Sequence, residues 1–201
     1  MTDSELMAAI KSKYGATIVA MCTGLTKPAD PALLAGIVAN ESGGNAEAQR
    51  YEPAVFKRIQ DVMVGRETAF RAQGIYRPLM QRDFLQFVNP VDVAPGAPVR
   101  SAAGILKMME WLSTSFGLTQ IMGWHVVEFS KTTADIVGVG PNLRFAAMLL
   151  GYFAGRYSID ATKDFAELLT CWNTGIPDGK TFDPNYVANG MARIAAWQAL
   201  P

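Results

Sequence analysis

Glu41 is the residue whose type and setting point most directly to chemistry. It follows Leu34, Ile37 and Val38 by seven, four and three residues, so a helix here places its carboxylate at the edge of its own apolar face. Asp30 suits an N-cap, Pro31 suits the first helical position, and Gly43-Gly44 stop the helix just beyond. A carboxylate so placed meets apolar surface and the negative end of the helix dipole. Both disfavour its ionised form. A raised pKa is what a general acid needs at neutral pH. Taken alone, the stretch also fits a solvated last-turn glutamate, which describes most glutamates at helix ends.

A second carboxylate follows closely. Pro53 biases Glu52 away from helical geometry, so Glu52 is expected in an extended or irregular segment. It is either a second catalytic group or a structural partner of Arg50 or of backbone amides. Asp61 and Asp92 are weaker candidates, read as a helix-surface charge and a loop cap. Gly43-Gly44 lacks the lysine and preceding strand of a phosphate-binding loop. Cys22 and Cys171 show no metal-ligand spacing, and His125 is the single histidine, so a site needing several imidazoles cannot be assembled. No metal and no cofactor are expected. The two cysteines are expected as buried free thiols, with a disulfide as the alternative.

The chain has 201 residues, half of them hydrophobic and 18% charged, with zero formal net charge. That describes a globular protein with one full core, and the whole chain, 1–201, is expected as one domain. A neutral balance gives no support for nucleic-acid binding. No apolar run is long enough to cross a bilayer. Lys11 and Lys13 precede the apolar run Ala16 to Cys22, a pattern loosely like an export signal. The run is short and Asp3 and Glu5 spoil the basic region before it, so it reads as a buried helix and no signal peptide is expected.

The elements that must position these residues are mainly helical. Helices are expected over 3–13, 14–24 (ended by Gly24), from Asp30 to the glycine pair, 61–72, 101–114, 142–157, 164–172 and 185–199. The 142–157 helix is expected to be the most buried. Prolines at 78, 90, 95 and 98 make 76–100 a long connection, with one helical turn near Arg82 to Phe87. A small hairpin between Glu52 and Gly123 is the one strand feature expected.

Four short pieces occur in order: Glu41-Ser42-Gly43, Gly117-Leu118-Thr119-Gln120-Ile121-Met122-Gly123, Trp172-Asn173-Thr174-Gly175, and Tyr186-Val187. Their order resembles the lysozyme-like lytic transglycosylases and goose-type lysozymes. That family carries a catalytic Glu-Ser pair, a Gly-Leu-Met-Gln-Ile-Met block, a Tyr-Asn-Ala-Gly block and a late Tyr-Val. Arg50-Tyr51-Glu52-Pro53, followed by Val55-Phe56, resembles a variant in phage-type and bacterial muramidase-like members. The resemblance implies a lysozyme-like helical domain, with the expected hairpin beside an active-site groove.

It also implies roles. Glu41 looks like the single acid/base, and Gln120 like the glutamine that hydrogen-bonds the sugar near the cleavage point. Met122 would line the same groove. Trp172 stands where the family has a tyrosine, keeping a stacking role without the phenol. Asn173 and Tyr186 match the family asparagine and late tyrosine, and Tyr51 joins them as a substrate-binding residue. The usual acidic-Thr pair before the late tyrosine is here Phe182-Asp183-Pro184, a departure from the pattern. Residues 44–116 between the first two motifs make a longer gap than many members have, as an insertion shaping one groove wall would. His125 is expected to rim the groove or bond a backbone carbonyl. Trp111, Trp124 and Trp197 are expected in the core.

The implied reaction cleaves the β-1,4 bond between N-acetylmuramic acid and N-acetylglucosamine in a peptidoglycan strand, by proton delivery to the leaving oxygen. A lytic transglycosylase needs one carboxyl, because the substrate's own C6 hydroxyl attacks and leaves a 1,6-anhydro-muramyl end. A hydrolytic muramidase needs a second carboxylate, for which Glu52 is the candidate. The expectation leans to the first. A wall-binding module without catalysis is the third alternative. Without an export signal such a protein would act on the wall in the periplasm or outside the cell by another route, as a phage or prophage lysin does. A monomer is expected.

Overall fold

The computed structural model describes residues 1–23, 28–87 and 101–201. Gly24, Asp92 and the prolines at 90, 95 and 98, each singled out above, lie outside them. As expected from the sequence, the architecture is mainly helical with one small antiparallel sheet.

Helix α1 runs unbroken over Asp3–Thr23, where two helices were expected. The reason is its buried stripe: Met7, Ile10, Tyr14, Ile18 and Cys22 repeat every three or four residues straight through Gly15. Gly15 does not interrupt it, because the ring of Trp197 packs over its bare backbone.

Helix α2 spans Pro31–Ser42 with the expected ends. Asp30 caps it, its carboxylate accepting from Ala32 N at 2.7 Å, and Gly43 closes it in a left-handed conformation with φ 60°. Its burial differs from an amphipathic stripe. All residues from Ala32 to Ala39 are buried, so α2, not the 142–157 helix, is the central element. It is surrounded by α1, α7 (Val139–Tyr157), α8 (Phe165–Thr174) and α9 (Tyr186–Gln198). Two glycines let α9 approach most closely. A Cβ on Gly36 would sit 2.8 Å from Ile194 Cγ1 and 3.4 Å from Gly190 O, and one on Gly190 would sit 2.7 Å from Leu169 Cδ1.

Strands β1 (Gln49–Tyr51), β2 (Thr114–Phe116) and β3 (Ile121–Met122) pair antiparallel in that order. Arg50 faces Ser115 and Tyr51 faces Thr114, while Phe116 faces Ile121. The expected hairpin is β2–β3, and β1 adds a third strand to its far edge.

Helix α3 is Pro53–Met63, which corrects the expected helix over 61–72. Pro53 initiates it, Ile59 and Val62 bury its inner face, and Val64 and the positive φ of Gly65 end it. Residues 64–80 are turns joined by a bridge between Phe70 and Leu79. The turn near Arg82 forms α4 (Gln81–Gln86), and α5 (Ala102–Leu112) is capped by Ser101. A short α6 (His125–Glu128) and a 3-10 turn, Thr133–Asp135, lead into α7. Helix α7 begins three residues earlier than expected, and α8 continues two further, to Thr174. The buried apolar side chains of every α-helix form one core cluster. No helix of the described residues is long and apolar enough to cross a membrane.

Gly36→Ala is expected to force α2 and α9 apart and cost roughly 1–3 kcal/mol, the usual range for overpacking. Equilibrium denaturation checks this; unchanged stability would mean that Ile194 yields freely.

Candidate functional site

Glu41 lies in the last turn of α2, and Tyr186 is the first residue of α9. The close packing of those helices brings them together: the buried Tyr186 hydroxyl donates a hydrogen bond to Glu41 Oε1. Burial is the largest influence on Glu41 and raises its pKa. The Tyr186 hydrogen bond and the positive charge of Arg50 act against it by favouring the carboxylate. Burial and the neighbouring Glu41 push the Tyr186 phenol well above its ordinary value, so it remains a protonated donor.

This turn is anchored from three more directions. Asn40 Nδ2 donates to Tyr186 O at 2.9 Å, and Arg193 donates to Asn40 Oδ1 at 2.7 Å. Ser42 Oγ donates to Leu118 O at 2.7 Å, tying the helix end to the β2–β3 loop. Tyr14 OH donates to Gly44 O at 3.1 Å. A carboxyl meant to deliver a proton to one bond gains from such fixed placement.

The β2–β3 loop is fixed by two amides. Asn142 is fully buried at the start of α7. Its Oδ1 accepts from Thr119 N at 3.0 Å and Thr119 Oγ1 at 2.8 Å, and its Nδ2 donates to Phe116 O at 2.9 Å and Ile136 O at 3.1 Å. Gly117 has φ 72°, and a Cβ there would sit 2.8 Å from Asn142 Nδ2, so both backbone and space require glycine. Gln120 takes a left-handed φ of 51°. Its Oε1 accepts from Ser115 Oγ at 2.7 Å while Nε2 donates to Ala48 O at 3.0 Å and Gly117 O at 2.9 Å. The Gln120 amide therefore braces β1 against the hairpin with its acceptor and both donors engaged. Hydrogen-bonding a sugar, as the resemblance implies, would require displacing one of these bonds.

Gln120, Met122 and Trp172 come together around a small cavity of about 80 Å³, and His125 lines it as well. His125 bonds a carboxylate instead of the expected backbone carbonyl: its Nδ1 lies 2.6 Å from Glu128 Oε2. Asn173 is exposed, and its Oδ1 accepts from Phe182 N at 3.3 Å, which links the end of α8 to the loop before α9. Tyr51 does not line the cavity; it is 46% exposed, with its ring edge-on to Phe56.

Glu52 occupies the N-cap position of α3 without capping it. Its Oε1 lies 2.6 Å from Arg50 Nε, and its backbone N donates to Ser113 O at 2.8 Å. Arg50 thus holds Glu52 directly and acts on Glu41 through its charge. Asp61 pairs with Lys57 and Arg66, which lower its pKa, so it is a surface charge and no acid. Cys22 and Cys171 are free and buried, with thiols pushed up to about 12, too high to supply a thiolate at neutral pH. Trp124 and Trp197 are buried, and Trp111 stacks between Phe87 and Phe116.

Asn142 and Glu128 carry more of the site than their sequence positions disclosed. The available signal for each was a polar residue inside an apolar helical run, Val139 to Phe153 and Val126 to Phe129.

No protein-family model, no curated protein and no solved structure matches the chain.

A buried carboxyl with a raised pKa destabilises the folded protein once it must ionise. Wild-type stability relative to Glu41→Gln is therefore highest in acid and falls as pH rises through the folded pKa of Glu41. Glu41→Gln is expected to melt higher than wild type at pH 8, with the difference closing below pH 4. A difference independent of pH would contradict this assignment.

Proposed function

We propose that this chain cleaves the β-1,4 bond between N-acetylmuramic acid and N-acetylglucosamine in peptidoglycan, on a lysozyme-like helical fold, with Glu41 as the acid/base. The observation that carries this reading is the Glu41 carboxyl itself, kept towards its neutral form by burial and met by the Tyr186 hydroxyl. Supporting it, three contacts or cavities link the four separated motifs. Glu41 meets Tyr186, Ser42 meets Leu118, and Trp172 shares a cavity with Gln120 and Met122.

Neutral Glu41 gives its proton to the glycosidic oxygen as the C1–O4 bond breaks and positive charge develops on the muramic acid ring. The new carboxylate is stabilised by Tyr186 and by the charge of Arg50, the two influences that oppose burial. These lower the cost of parting with the proton. In the transglycosylase route the muramic acid C6 hydroxyl then attacks C1. The C1–O6 bond forms and the hydroxyl proton returns to Glu41, leaving a 1,6-anhydro end. No second carboxylate is required.

Glu52 has no part in that route, and its carboxylate pairs with Arg50, whose side chain is 72% exposed. A hydrolytic muramidase using Glu52 as its second carboxylate is the alternative, and the released products distinguish the two. A non-catalytic wall-binding module would have no use for the Glu41–Tyr186 arrangement. The proposed setting is the cell wall, with a glycan strand as partner.

Clearing of purified cell walls is expected to fall by at least about 100-fold in Glu41→Gln, within the range for loss of a general acid. Equal clearing would remove Glu41 from the chemistry. Mass spectrometry of the released muropeptides is expected to show 1,6-anhydro ends; reducing ends carrying one added water would establish hydrolysis. Because Tyr186 favours ionised Glu41, Tyr186→Phe raises the Glu41 pKa further and shifts the alkaline limb of the pH–activity profile to higher pH. A shift to lower pH would contradict the role given to that hydrogen bond.

A further inference from the structure

Glu128 is a carboxylate sealed inside the protein, with 1% of its side chain exposed. Two groups hold it. Tyr76 N donates to Oε1, and His125 Nδ1 lies 2.6 Å from Oε2. A buried carboxylate is costly unless each oxygen is bonded, and this one is fully engaged. Its consequence is the orientation of His125. The Glu128 carboxylate takes the Nδ1 hydrogen, which leaves Nε2 as the ring atom free to bond elsewhere. The ring is further clamped by stacking on Trp124 at 3.8 Å between centroids. Among the described residues nothing bonds Nε2, and the His125 side chain is 17% exposed.

His125 lines the same cavity as Met122, Leu149, Phe153 and Trp172. Ile121, Met122, Leu149 and Phe153 give the lining an apolar side, and a polar side at least as large includes His125, the Trp172 indole and the Gln120 amide, whose hydrogen bonds are already satisfied within the protein. The cavity of about 80 Å³ matches roughly two or three waters at their share of liquid volume. The space therefore suits a small group with one polar side and one methyl side. An acetamido group is such a group: its amide meets an imidazole nitrogen, and its methyl rests on methionine, leucine and phenylalanine. The indole of Trp172 offers a face for the sugar ring that carries it.

We infer that His125, oriented by Glu128, is the specificity-determining residue that selects an N-acetylated sugar over a plain hexose through the acetamido group. This rests on the glycan-cleaving reading above and adds a recognition contact that the Glu41 chemistry does not need. Glu128 is a positioning residue, acting on sugar only through His125.

Because His125 is the single histidine, its ring gives one set of NMR signals. The experiment uses full-length Glu41→Gln to prevent turnover, titrated with chitotetraose, which is N-acetylated, and with cellotetraose, which is not. Chitotetraose is expected to move the His125 ring signal and to bind at least about tenfold tighter than cellotetraose. That preference is expected to vanish in His125→Ala and to return in part in His125→Gln, whose terminal amide reaches the position of Nε2. Glu128→Gln is expected to weaken it while the protein stays folded. If chitotetraose binds with its preference intact in His125→Ala and leaves the wild-type ring signal unmoved, the inference is overturned and the cleavage reading stands. If neither chitotetraose nor purified wall binds the Glu41→Gln protein, the cleavage reading falls and this inference with it.

Discussion

The structure turns on one arrangement, a carboxyl withdrawn from water at the end of the central helix. Ionised, Glu41 would lose much of its hydration, so burial shifts it towards the neutral form. The protein sets this balance from opposite sides. Burial raises the pKa, while a phenol 145 residues away in sequence and an arginine on an edge strand lower it. The Tyr186 contact works only because α9 lies close against α2, and that approach needs bare backbone at Gly36. Helix packing and acid strength are therefore the same problem in this fold.

The small sheet addresses a second problem, keeping an irregular loop rigid without a large core beneath it. The β2–β3 loop carries left-handed residues at Gly117 and Gln120. Such conformations persist only when the surroundings hold them. Asn142 does so from below with three hydrogen bonds, Gln120 from within with three, and Ser42 from the helix end with one. Polar residues that looked suited to a ligand are here occupied in holding the loop. His125 lines the cavity with its Nδ1 held in turn by the buried Glu128.

What was legible in the sequence was local. The caps of α2 were readable because Asp30, Pro31 and Gly43 act on the backbone within a few residues. The extended backbone of Glu52 followed from Pro53, and α9 from its periodicity. The errors share a cause. Helix α1 was expected as two helices, 3–13 and 14–24, because the change from a mixed to a mostly apolar stretch is local, while the buried stripe that runs through both depends on tertiary packing. Helix α3 was misplaced because a proline can end one element or start the next, and only the buried Ile59 and Val62 decide. Pairing of β1 with β2 joins residues 49–51 to 114–116, which no local pattern announces. In the site, Glu41 could be singled out from its helical face. The inward use of Gln120 and the buried pair beneath His125 depend on partners that sequence spacing does not bring together, such as Ala48 and Tyr76.

The central claim is that Glu41 holds its proton at a pH where an ordinary glutamate has lost it. Site-resolved titration of its side-chain carboxyl carbon by NMR reads this directly. The expected result is a midpoint above the ordinary glutamate range, set by burial against the pull of Tyr186 and Arg50. A midpoint within or below that range would contradict the account, leaving Glu41 an ordinary carboxylate at a helix end.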